Sequence, residues 1–300
     1  MNSEDPGSSL ISHRSSLVDP DLFRLRTEHL LIEGRSRAGH ETWFRIRDLG
    51  IALDIGRGPD PVIAMPHVFV THAHLDHAAG IPFYAGQRRL QGMDGGTVYV
   101  PDEAAEDIRA LLAIQEKLTG AQFEIEVRGL AIGEELAFGR THLVRAYAAP
   151  HRVAARGYEL IERRHHLREE LAGLERDEIL RLRREGVKVD EEYRRSILFY
   201  TGDTDRGILE KCDPVFKAEV LLIECSFLAD GHQDRAARYR HIHIDDIADF
   251  AERYENQVII LTHFSRRYSN DEIRDYARKR LPVSLHERIR LALPEPWQRL

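Results

Sequence analysis

The sequence lacks most of the features that would assign a chain of this length to a specialised class of protein. Its 300 residues include only two cysteines, too few for a disulfide framework or for a zinc site with four cysteine ligands. We therefore expect a reducing, cytoplasmic setting. No apolar run approaches the roughly 18 residues that a membrane-spanning helix needs, so the sequence predicts no membrane association.

The chain also lacks an excess of positive charge. Its formal net charge is −7, from 43 Lys and Arg against 50 Asp and Glu. This balance argues against a protein that coats nucleic acid through bulk positive charge, although a local arginine cluster can still bind phosphates. The first 22 residues are rich in serine and contain Glu4, Asp5 and Asp19. We predict that 1–22 is a disordered leader and not a transit peptide.

Histidine, in contrast, is abundant, and its 16 residues supply imidazole for metal binding or acid–base chemistry. Four potential ligands occur in the run THAHLDH over 71–77, directly after an apolar strand at 67–70. Because the strand fixes the base of this loop, His72 and His74 are expected to point to one place. Asp76 and His77 are expected to point to a second. The spacing therefore predicts two metal ions.

Strands dominate the first half of the sequence, and strands alternate with helices in the last third. Alternating residues from Glu41 onward and the run 51–55 are typical of strands. This order predicts sheets covered by helices in one layered domain over 23–300. The further predicted strands are at 67–70, 97–100, 123–127, 141–147, 197–201, 219–223 and 258–261, and the predicted helices are at 102–118, 245–254 and 270–280.

One segment differs from its surroundings in charge. Residues 152–195 contain 12 Arg or Lys and 11 Asp or Glu, with leucines at 167, 171 and 174. This spacing predicts an amphipathic helix or helical hairpin, a charged helical insertion at about 159–195. Two interpretations remain open: an exposed helix that carries salt bridges on the face of the domain, or an arm that grips a substrate.

The pattern His72-x-His74-x-Asp76-His77 resembles the signature of the metallo-β-lactamase superfamily. That resemblance implies an α+β fold, a four-layer αββα sandwich with metals at the rim of its two sheets. Three later motifs resemble the ribonuclease Z branch, the tRNA 3′-processing endonucleases: Ala149-Pro150-His151, Phe199-Tyr200-Thr201-Gly202-Asp203-Thr204 and Leu261-Thr262-His263-Phe264-Ser265-Arg266-Arg267-Tyr268. The branch implies two Zn²⁺, with Mn²⁺ or Fe²⁺ as alternatives, and a bridging Asp203. The implied ligands are His72, His74, Asp76, His77, His151, Asp203 and His263.

The same resemblance implies an acid–base pair. Glu224-Cys225-Ser226-Phe227 lies where the family commonly has His-Glu-Ala-Thr-Phe, and His241 lies 22 residues before His263, where the family keeps a general acid. Asp76 would then orient or deprotonate a water, His241 would protonate the leaving 3′ oxygen, and Glu224 would hold the imidazolium. His243 remains an alternative to His241. Asp54 is interpreted as a structural hydrogen-bonding residue below the site.

The resemblance implies a metal-dependent phosphodiesterase, a ribonuclease Z-like endoribonuclease that cleaves the 3′ trailer of precursor tRNA by a metal-activated hydroxide. It also implies a homodimer. The branch's bacterial arm has a Gly/Pro-rich tip, whereas 152–195 contains no proline. An alternative therefore stays open, a phosphodiesterase of the same fold that acts on cyclic nucleotides or other small molecules. A third hypothesis, a non-catalytic binding subunit, is disfavoured by the complete ligand set.

Overall fold

Two seven-stranded sheets, formed one after the other along the chain, make the frame of the protein. The structure is a computed structural model, and it describes residues 22–294. The predicted leader, 1–22, lies outside the described residues except for Leu22. In each sheet the spatial order of the strands follows or reverses their order in the sequence, so each sheet is built from one half of the chain.

The first sheet begins antiparallel and continues parallel from its fourth strand. Its strands are β1 (Phe23–Arg26), β2 (Leu31–Arg37), β3 (Glu41–Ile46), β4 (Ile51–Leu53), β5 (His67–Phe69), β6 (Thr97–Pro101) and β7 (Glu126–Leu130). The second sheet has the same plan. Its strands are β8 (Glu135–Phe138), β9 (His142–Ala148), β10 (Arg156–Leu167), β11 (Asp190–Tyr200), β12 (Val220–Glu224), β13 (Val258–Thr262) and β14 (Ile289–Leu291), parallel from β11 onward.

Helices cover the outer face of each sheet. The first half contributes α1 (Asp60–Ile63), α2 (Leu75–Ala78), α3 (Ile81–Leu90) and α4 (Ala105–Thr119). The second half contributes α6 (Gly207–Lys211), α7 (Pro214–Lys217), α8 (Gln233–Tyr239), α9 (Ile244–Asp249), α10 (Asn270–Arg280) and α11 (Val283–His286). A further helix, α5 (Arg176–Arg184), lies between β10 and β11 and buries no side chain. None of the helices in 22–294 is long and apolar enough to cross a membrane.

Three apolar clusters hold these layers together. The middle cluster lies between the sheets and includes Phe44, Phe69 and Leu198, all 1% exposed or less. One outer cluster packs Ile81 of α3 against the first sheet, and the other packs Ile273 of α10 against the second. Each such fully buried side chain contributes roughly 1.5–3 kcal/mol to folding. The predicted four-layer αββα sandwich of the α+β class is confirmed.

The parallel strands determine where the polar residues meet. Strands that run in parallel place their carboxyl ends at one edge of a sheet, where the chain leaves for a loop. Asp54 follows β4, the run 71–77 begins two residues after β5, and Asp203 and His263 follow β11 and β13. Glu224 is the last residue of β12. Loops from the two packed sheets therefore converge at one rim of the sandwich.

The predicted charged helical insertion at about 159–195 is wrong in its secondary structure. The segment is a β-hairpin in which β10 and β11 pair as far as Leu167 and Asp190, with only the nine-residue helix α5 near its tip. The leucine spacing that resembled a helix falls on a strand end, a short 3₁₀ turn and a bend. Oppositely charged side chains instead meet across the ribbon, as Arg195 and Glu162 do at 3.8 Å.

Smaller differences have a similar origin in packing. The strand predicted at 123–127 is β7, Glu126–Leu130, and it includes Gly129, where a Cβ would lie 2.8 Å from the Asp102 backbone. The helix predicted at 245–254 is α9, which ends at Asp249. The sequence patterns do not predict four further strands and seven helices of the structure, because those patterns are short or mixed: β1, β2, β8 and β14, and α1, α2, α3, α6, α7, α8 and α11.

Candidate metal centre

The first group of ligand atoms joins the loop after β5 to the second sheet. His72 Nε2 lies 3.0 Å from His74 Nδ1, and His151 Nε2 lies 3.4 Å from the same His74 atom. Asp203 Oδ2 lies 3.7 Å from His72 Nε2. One ligand atom from each of these four residues lies within 4.8 Å of the others, as expected for residues that could hold one metal ion.

A second group lies beside the first. His77 Nε2 is 3.3 Å from His263 Nε2, and Asp76 Oδ2 lies 3.6 Å from the former and 3.4 Å from the latter. Asp203 Oδ1 lies 3.3 Å from each of the two imidazole nitrogens. The two groups therefore share Asp203, with one carboxylate oxygen facing each.

The chemistry of this donor set fits two divalent cations. Asp203 is 3% exposed, and its Oδ1 accepts no hydrogen bond from the part of the chain that the structure describes. A buried carboxylate oxygen without a donor is costly unless a cation neutralises it. Five imidazoles and two carboxylates with no thiolate suit Zn²⁺, and they also suit Mn²⁺ or Fe²⁺.

Four histidines of the two groups turn Nε2 inward because their Nδ1 atoms contact other groups. His77 Nδ1 lies 2.7 Å from Asp54 Oδ2, and His151 Nδ1 donates to the Arg240 carbonyl at 3.0 Å. The remaining two contact hydroxyls at 3.0 Å: His72 contacts Thr71, and His263 contacts Ser226. Such outer hydrogen bonds fix the orientation of an imidazole and raise its basicity toward a metal.

The protonation of the cluster depends on its carboxylates. Burial alone lowers the pKa of His77, but the charges of Asp203 and Asp54 outweigh it and raise that pKa well above its usual range. Burial alone raises the pKa of Asp203, but His263 and His77 hold it well below its usual range. Divalent cations would therefore enter this cluster in exchange for protons, and we expect metal affinity to fall at acid pH.

A carboxylate–imidazole pair lies next to the second group. His241 Nδ1 is 2.8 Å from Glu224 Oε1, and Glu224 is 1% exposed. Glu224 also accepts hydrogen bonds from the Thr204 backbone at 2.8 Å and from the Ser226 hydroxyl at 2.7 Å. The ring centroid of His241 lies 5.5 Å from that of His263. The pair is therefore fixed at the edge of the cluster.

His243, the alternative to His241, is placed differently. It is 1% exposed and caps the N-terminus of α9, where its Nδ1 accepts a hydrogen bond from Asp245 N at 3.2 Å. Its Nε2 donates to the Ala229 carbonyl at 3.1 Å. Both ring nitrogens are thus engaged in local structure, away from the cluster.

Comparisons with known proteins identify the family. A family model described as a beta-lactamase superfamily domain matches residues 59–264. The tRNase Z TRZ1 of Arabidopsis thaliana is 36% identical over 268 residues, which cover 88% of this chain and 95% of that protein. This chain belongs to the ribonuclease Z family. The chloroplastic tRNase Z TRZ2 of the same plant is 32% identical over 83% of this chain and 71% of its own length.

A solved structure of a ribonuclease Z family member agrees in fold. The crystal structure of human tRNase Z, short form, matches with a TM-score of 0.56 and 18% identity over 79% of this chain and 93% of its own. This likeness concerns the fold alone. Together with the sequence relatives it confirms the predicted resemblance.

Three hydrogen-bonding groups of this ribonuclease Z family site were missed by sequence reasoning. Ser226 and Tyr200 lie inside two of the motifs that resemble the family, but the resemblance assigns a role only to Glu224 in the first and to Asp203 in the second. Gly39, in the turn between β2 and β3, donates its backbone N–H to Asp76 Oδ2 at 2.7 Å, and no sequence signal indicates this contact. Asp54, interpreted as structural, accepts hydrogen bonds from Thr71 and Tyr200 beneath the cluster.

An open cavity of about 280 Å³ adjoins the cluster. Arg152 and Arg267 line it together with the aromatic side chains of Phe227 and Tyr239. Neither arginine forms an ion pair with an acid among residues 22–294, whereas most other arginines in that range do. Guanidinium groups that lack a carboxylate partner favour an anionic ligand such as a phosphodiester.

Gly202, which precedes Asp203, allows the backbone of its loop to pack directly against the side chain of Thr71. Its φ is +59°, and a Cβ there would lie 2.6 Å from Thr71 Cβ. We expect Gly202→Ala to cost roughly 1–2 kcal/mol for the left-handed backbone and roughly 1–3 kcal/mol more for the clash. Urea unfolding of the variant measures the total decrease in the free energy of unfolding. Gly139→Ala is the matched control, because Gly139 has φ +58° with nothing within 4 Å, and equal losses in the two variants would contradict the packing explanation.

Proposed function

We propose that this protein is a metal-dependent endoribonuclease of the ribonuclease Z type, which cleaves the 3′ trailer from precursor tRNA. One arrangement carries the proposal: two groups of potential metal ligands share Asp203, and the Glu224–His241 pair lies beside them. Hydrolysis of a phosphodiester needs an activated water, charge neutralisation and a proton for the leaving alkoxide. The relatives named tRNase Z support precursor tRNA as the substrate.

The proposed ligands divide between two cations, and Zn²⁺ is the preferred ion. When bound, the two cations would polarise a water and neutralise charge on the scissile phosphate. His72, His74 and His151 would hold the first, Asp76, His77 and His263 the second, and Asp203 both.

Asp76 is proposed to orient the attacking water. Burial alone raises its pKa, but the hydrogen bond and charge of His263 together with the charge of His77 lower the pKa well below its usual range. A carboxylate that remains ionised accepts a hydrogen bond from water and aims it, but it is a weak proton acceptor at neutral pH. The Gly39 backbone N–H, at 2.7 Å from Oδ2, fixes the position of this carboxylate.

His241 is proposed to give the proton to the leaving 3′ oxygen. Burial alone lowers its pKa, but the charge and hydrogen bond of Glu224 outweigh that effect and raise the pKa to about 9. The imidazole is therefore protonated at neutral pH, as a general acid must be before it acts. His243 is engaged at both nitrogens and is not proposed for this step.

The experiment that tests the function compares precursor tRNA with two small phosphodiesters. Zinc-loaded enzyme is incubated with a tRNA transcript that carries a 3′ trailer, and separately with bis(p-nitrophenyl) phosphate and a cyclic nucleotide. We expect one cut near the 3′ end of the tRNA, lost with chelator and restored with Zn²⁺. Intact transcript under conditions that hydrolyse the small diesters would favour the alternative, a small-molecule phosphodiesterase of the same fold.

The hairpin formed by β10 and β11, called the charged hairpin below, is proposed to bind the tRNA away from the metal centre. Its tip, 168–189, is mostly exposed and lies beyond the last pair of β10 and β11, Leu167 and Asp190. We expect replacement of 168–189 by an Asn-Gly turn to raise the KM for precursor tRNA about 10-fold, or about 1.4 kcal/mol. The KM for bis(p-nitrophenyl) phosphate should not change. Equal increases for both substrates would mean that the tip only supports the fold.

We further propose that the protein forms a homodimer. Exposed apolar side chains lie along a groove of about 740 Å³ between α3 and α4, including Phe83 and Leu90, with Leu118 75% exposed nearby. Patches of this kind mark association surfaces. We expect Leu118→Glu to shift the mass in solution from dimer to monomer, as measured by light scattering. Ile132→Glu, at a 59% exposed position in the turn between β7 and β8, is the control and should leave the mass unchanged.

A reducing, cytoplasmic location is proposed from the thiols. Cys212 and Cys225 are both free and buried. Burial raises the pKa of each thiol, which keeps it protonated and unreactive at neutral pH. The fold therefore makes no use of an oxidising environment. Localisation of a tagged chain in cells measures this directly.

A further inference from the structure

A buried hydrogen bond connects the two sheets directly beneath the candidate metal centre. Tyr200 is the last residue of β11 in the second sheet, and its hydroxyl donates to Asp54 Oδ2 at 2.6 Å. Asp54 follows β4 in the first sheet and is completely buried. The two residues are 146 positions apart in the sequence. Tyr200 lies three residues before Asp203, and Asp54 contacts the candidate ligand His77 directly.

Asp54 supports one histidine of each ligand group. Its Oδ2 lies 2.7 Å from His77 Nδ1, and its Oδ1 accepts hydrogen bonds from Thr71 N at 2.7 Å and Thr71 Oγ1 at 2.9 Å. Because the Thr71 hydroxyl donates to Asp54, it accepts from His72 Nδ1 at 3.0 Å. His77 is therefore oriented directly by Asp54, and His72 is oriented through Thr71.

Asp54 has four hydrogen-bonding partners that hold its position: Thr71 N, Thr71 Oγ1, His77 Nδ1 and the Tyr200 hydroxyl. Among residues 22–294 no lysine or arginine forms an ion pair with it, and its partner in the ion-pair geometry is His77. A buried carboxylate that loses one hydrogen-bond donor bears a desolvation cost, and it moves to recover a donor where it can. Tyr200 is the donor that comes from the opposite sheet.

We propose that Tyr200 is a positioning residue for both metal sites, because its hydroxyl fixes the carboxylate that orients His77 and His72. The ligands of the centre come from both sheets: His72 and His77 from the first, and Asp203, three residues after Tyr200, from the second. The Tyr200–Asp54 hydrogen bond joins these two halves at the carboxylate that orients His77. This inference rests on the proposed metal centre.

The chain contains a closely matched control. Tyr158 of β10 is paired directly with Tyr200 of β11, and it is 1% exposed against 2% for Tyr200. Its hydroxyl also reaches the other sheet, where it donates to the Val70 carbonyl at 2.8 Å. Phenylalanine at either position removes one buried hydroxyl and one hydrogen bond between the sheets. Only the change at 200 takes a donor from Asp54.

The experiment measures zinc affinity in the wild type, Tyr200→Phe and Tyr158→Phe by competition with a chromogenic chelator. We expect Tyr200→Phe to weaken zinc binding about 10- to 100-fold at both sites, as is usual for the loss of an outer hydrogen-bonding partner. Tyr158→Phe should bind zinc like the wild type. Urea unfolding of the metal-free forms should show similar losses of stability in the two variants.

Four results would each overturn a part of this scheme. Wild-type zinc affinity in Tyr200→Phe, or equal weakening in both variants, would overturn the positioning role of Tyr200. A wild type that binds no divalent cation would instead overturn the proposed metal centre. If Tyr200→Phe is unfolded without metal at 25 °C, the titration is repeated at low temperature, and Thr71→Val is added because it removes the hydroxyl that donates to Asp54 and accepts from His72. Wild-type affinity in Thr71→Val would then count against the Asp54 network.

Discussion

Asp203→Ala is expected to abolish cleavage of precursor tRNA, with a fall in kcat/KM of roughly 10³-fold or more. Asp203 faces both ligand groups, and its two oxygens lie 3.3 Å from His77 and His263 Nε2 and 3.7 Å from His72 Nε2. Removal of this carboxylate takes a ligand from each proposed cation. It also removes the negative charge that the two ligand groups share. Elemental analysis after desalting should therefore show loss of metal from both sites.

Asp205→Ala is the control for this variant. Asp205 lies on the same loop, two residues further on, but its carboxylate accepts from the Gly207 backbone at 2.8 Å, lies 4.0 Å from Arg240, and belongs to neither ligand group. It should keep its metal and most of its activity. An Asp203→Ala protein that retained two cations and wild-type cleavage would contradict the bridging assignment.

His241→Ala is expected to lower cleavage of precursor tRNA by about 10²- to 10⁴-fold, the usual contribution of a general acid, while the metal content stays unchanged. The leaving alkoxide of an RNA needs a proton, whereas p-nitrophenolate leaves without one. Hydrolysis of bis(p-nitrophenyl) phosphate should therefore fall much less. Equal metal loss in His241→Ala and Asp203→Ala would contradict their separate assignments.

The pH dependence of this step follows from the pKa of His241. Because Glu224 raises that pKa to about 9, the acid form persists through neutral pH and is lost as pH rises. Bound cations repel the imidazolium and lower the value, so the alkaline limb of kcat for wild-type tRNA cleavage should fall at or below about pH 9. His241→Ala should lack this limb. His243→Ala should keep it, although loss of the α9 cap reduces stability by about 1 kcal/mol.

The local sequence could predict the donor set because the ligands occur in compact motifs at strand ends. The run 71–77 contains four potential ligands within one loop, and such a loop has few ways to leave a buried strand. The grouping of His72 with His74, and of Asp76 with His77, follows from this local geometry and agrees with the distances in the structure. The assignment of these residues to metal ions stays a prediction that elemental analysis will decide.

The secondary structure of the charged hairpin could not be predicted from the local sequence. Its residues carry a helical spacing of leucines, yet they form strands because β10 and β11 extend pairing that begins in the core of the second sheet. Hydrogen bonds to a neighbouring strand are non-local, so the spacing of apolar residues within 159–195 does not predict them. The choice between His241 and His243 was open for the same reason, since it depends on which ring reaches Glu224.

The sequence by itself determined a layered domain of sheets covered by helices and the ligands of the run 71–77, because short motifs and alternating strands are local properties of the chain. The family resemblance of its motifs implied the four-layer α+β sandwich and the remaining candidate ligands. Only the tertiary structure decided that Asp203 faces both groups, that the insertion is a ribbon, and that Tyr200 reaches Asp54 across the sheets. Those relations join residues far apart in sequence, and packing of the two sheets alone brings them within hydrogen-bond distance.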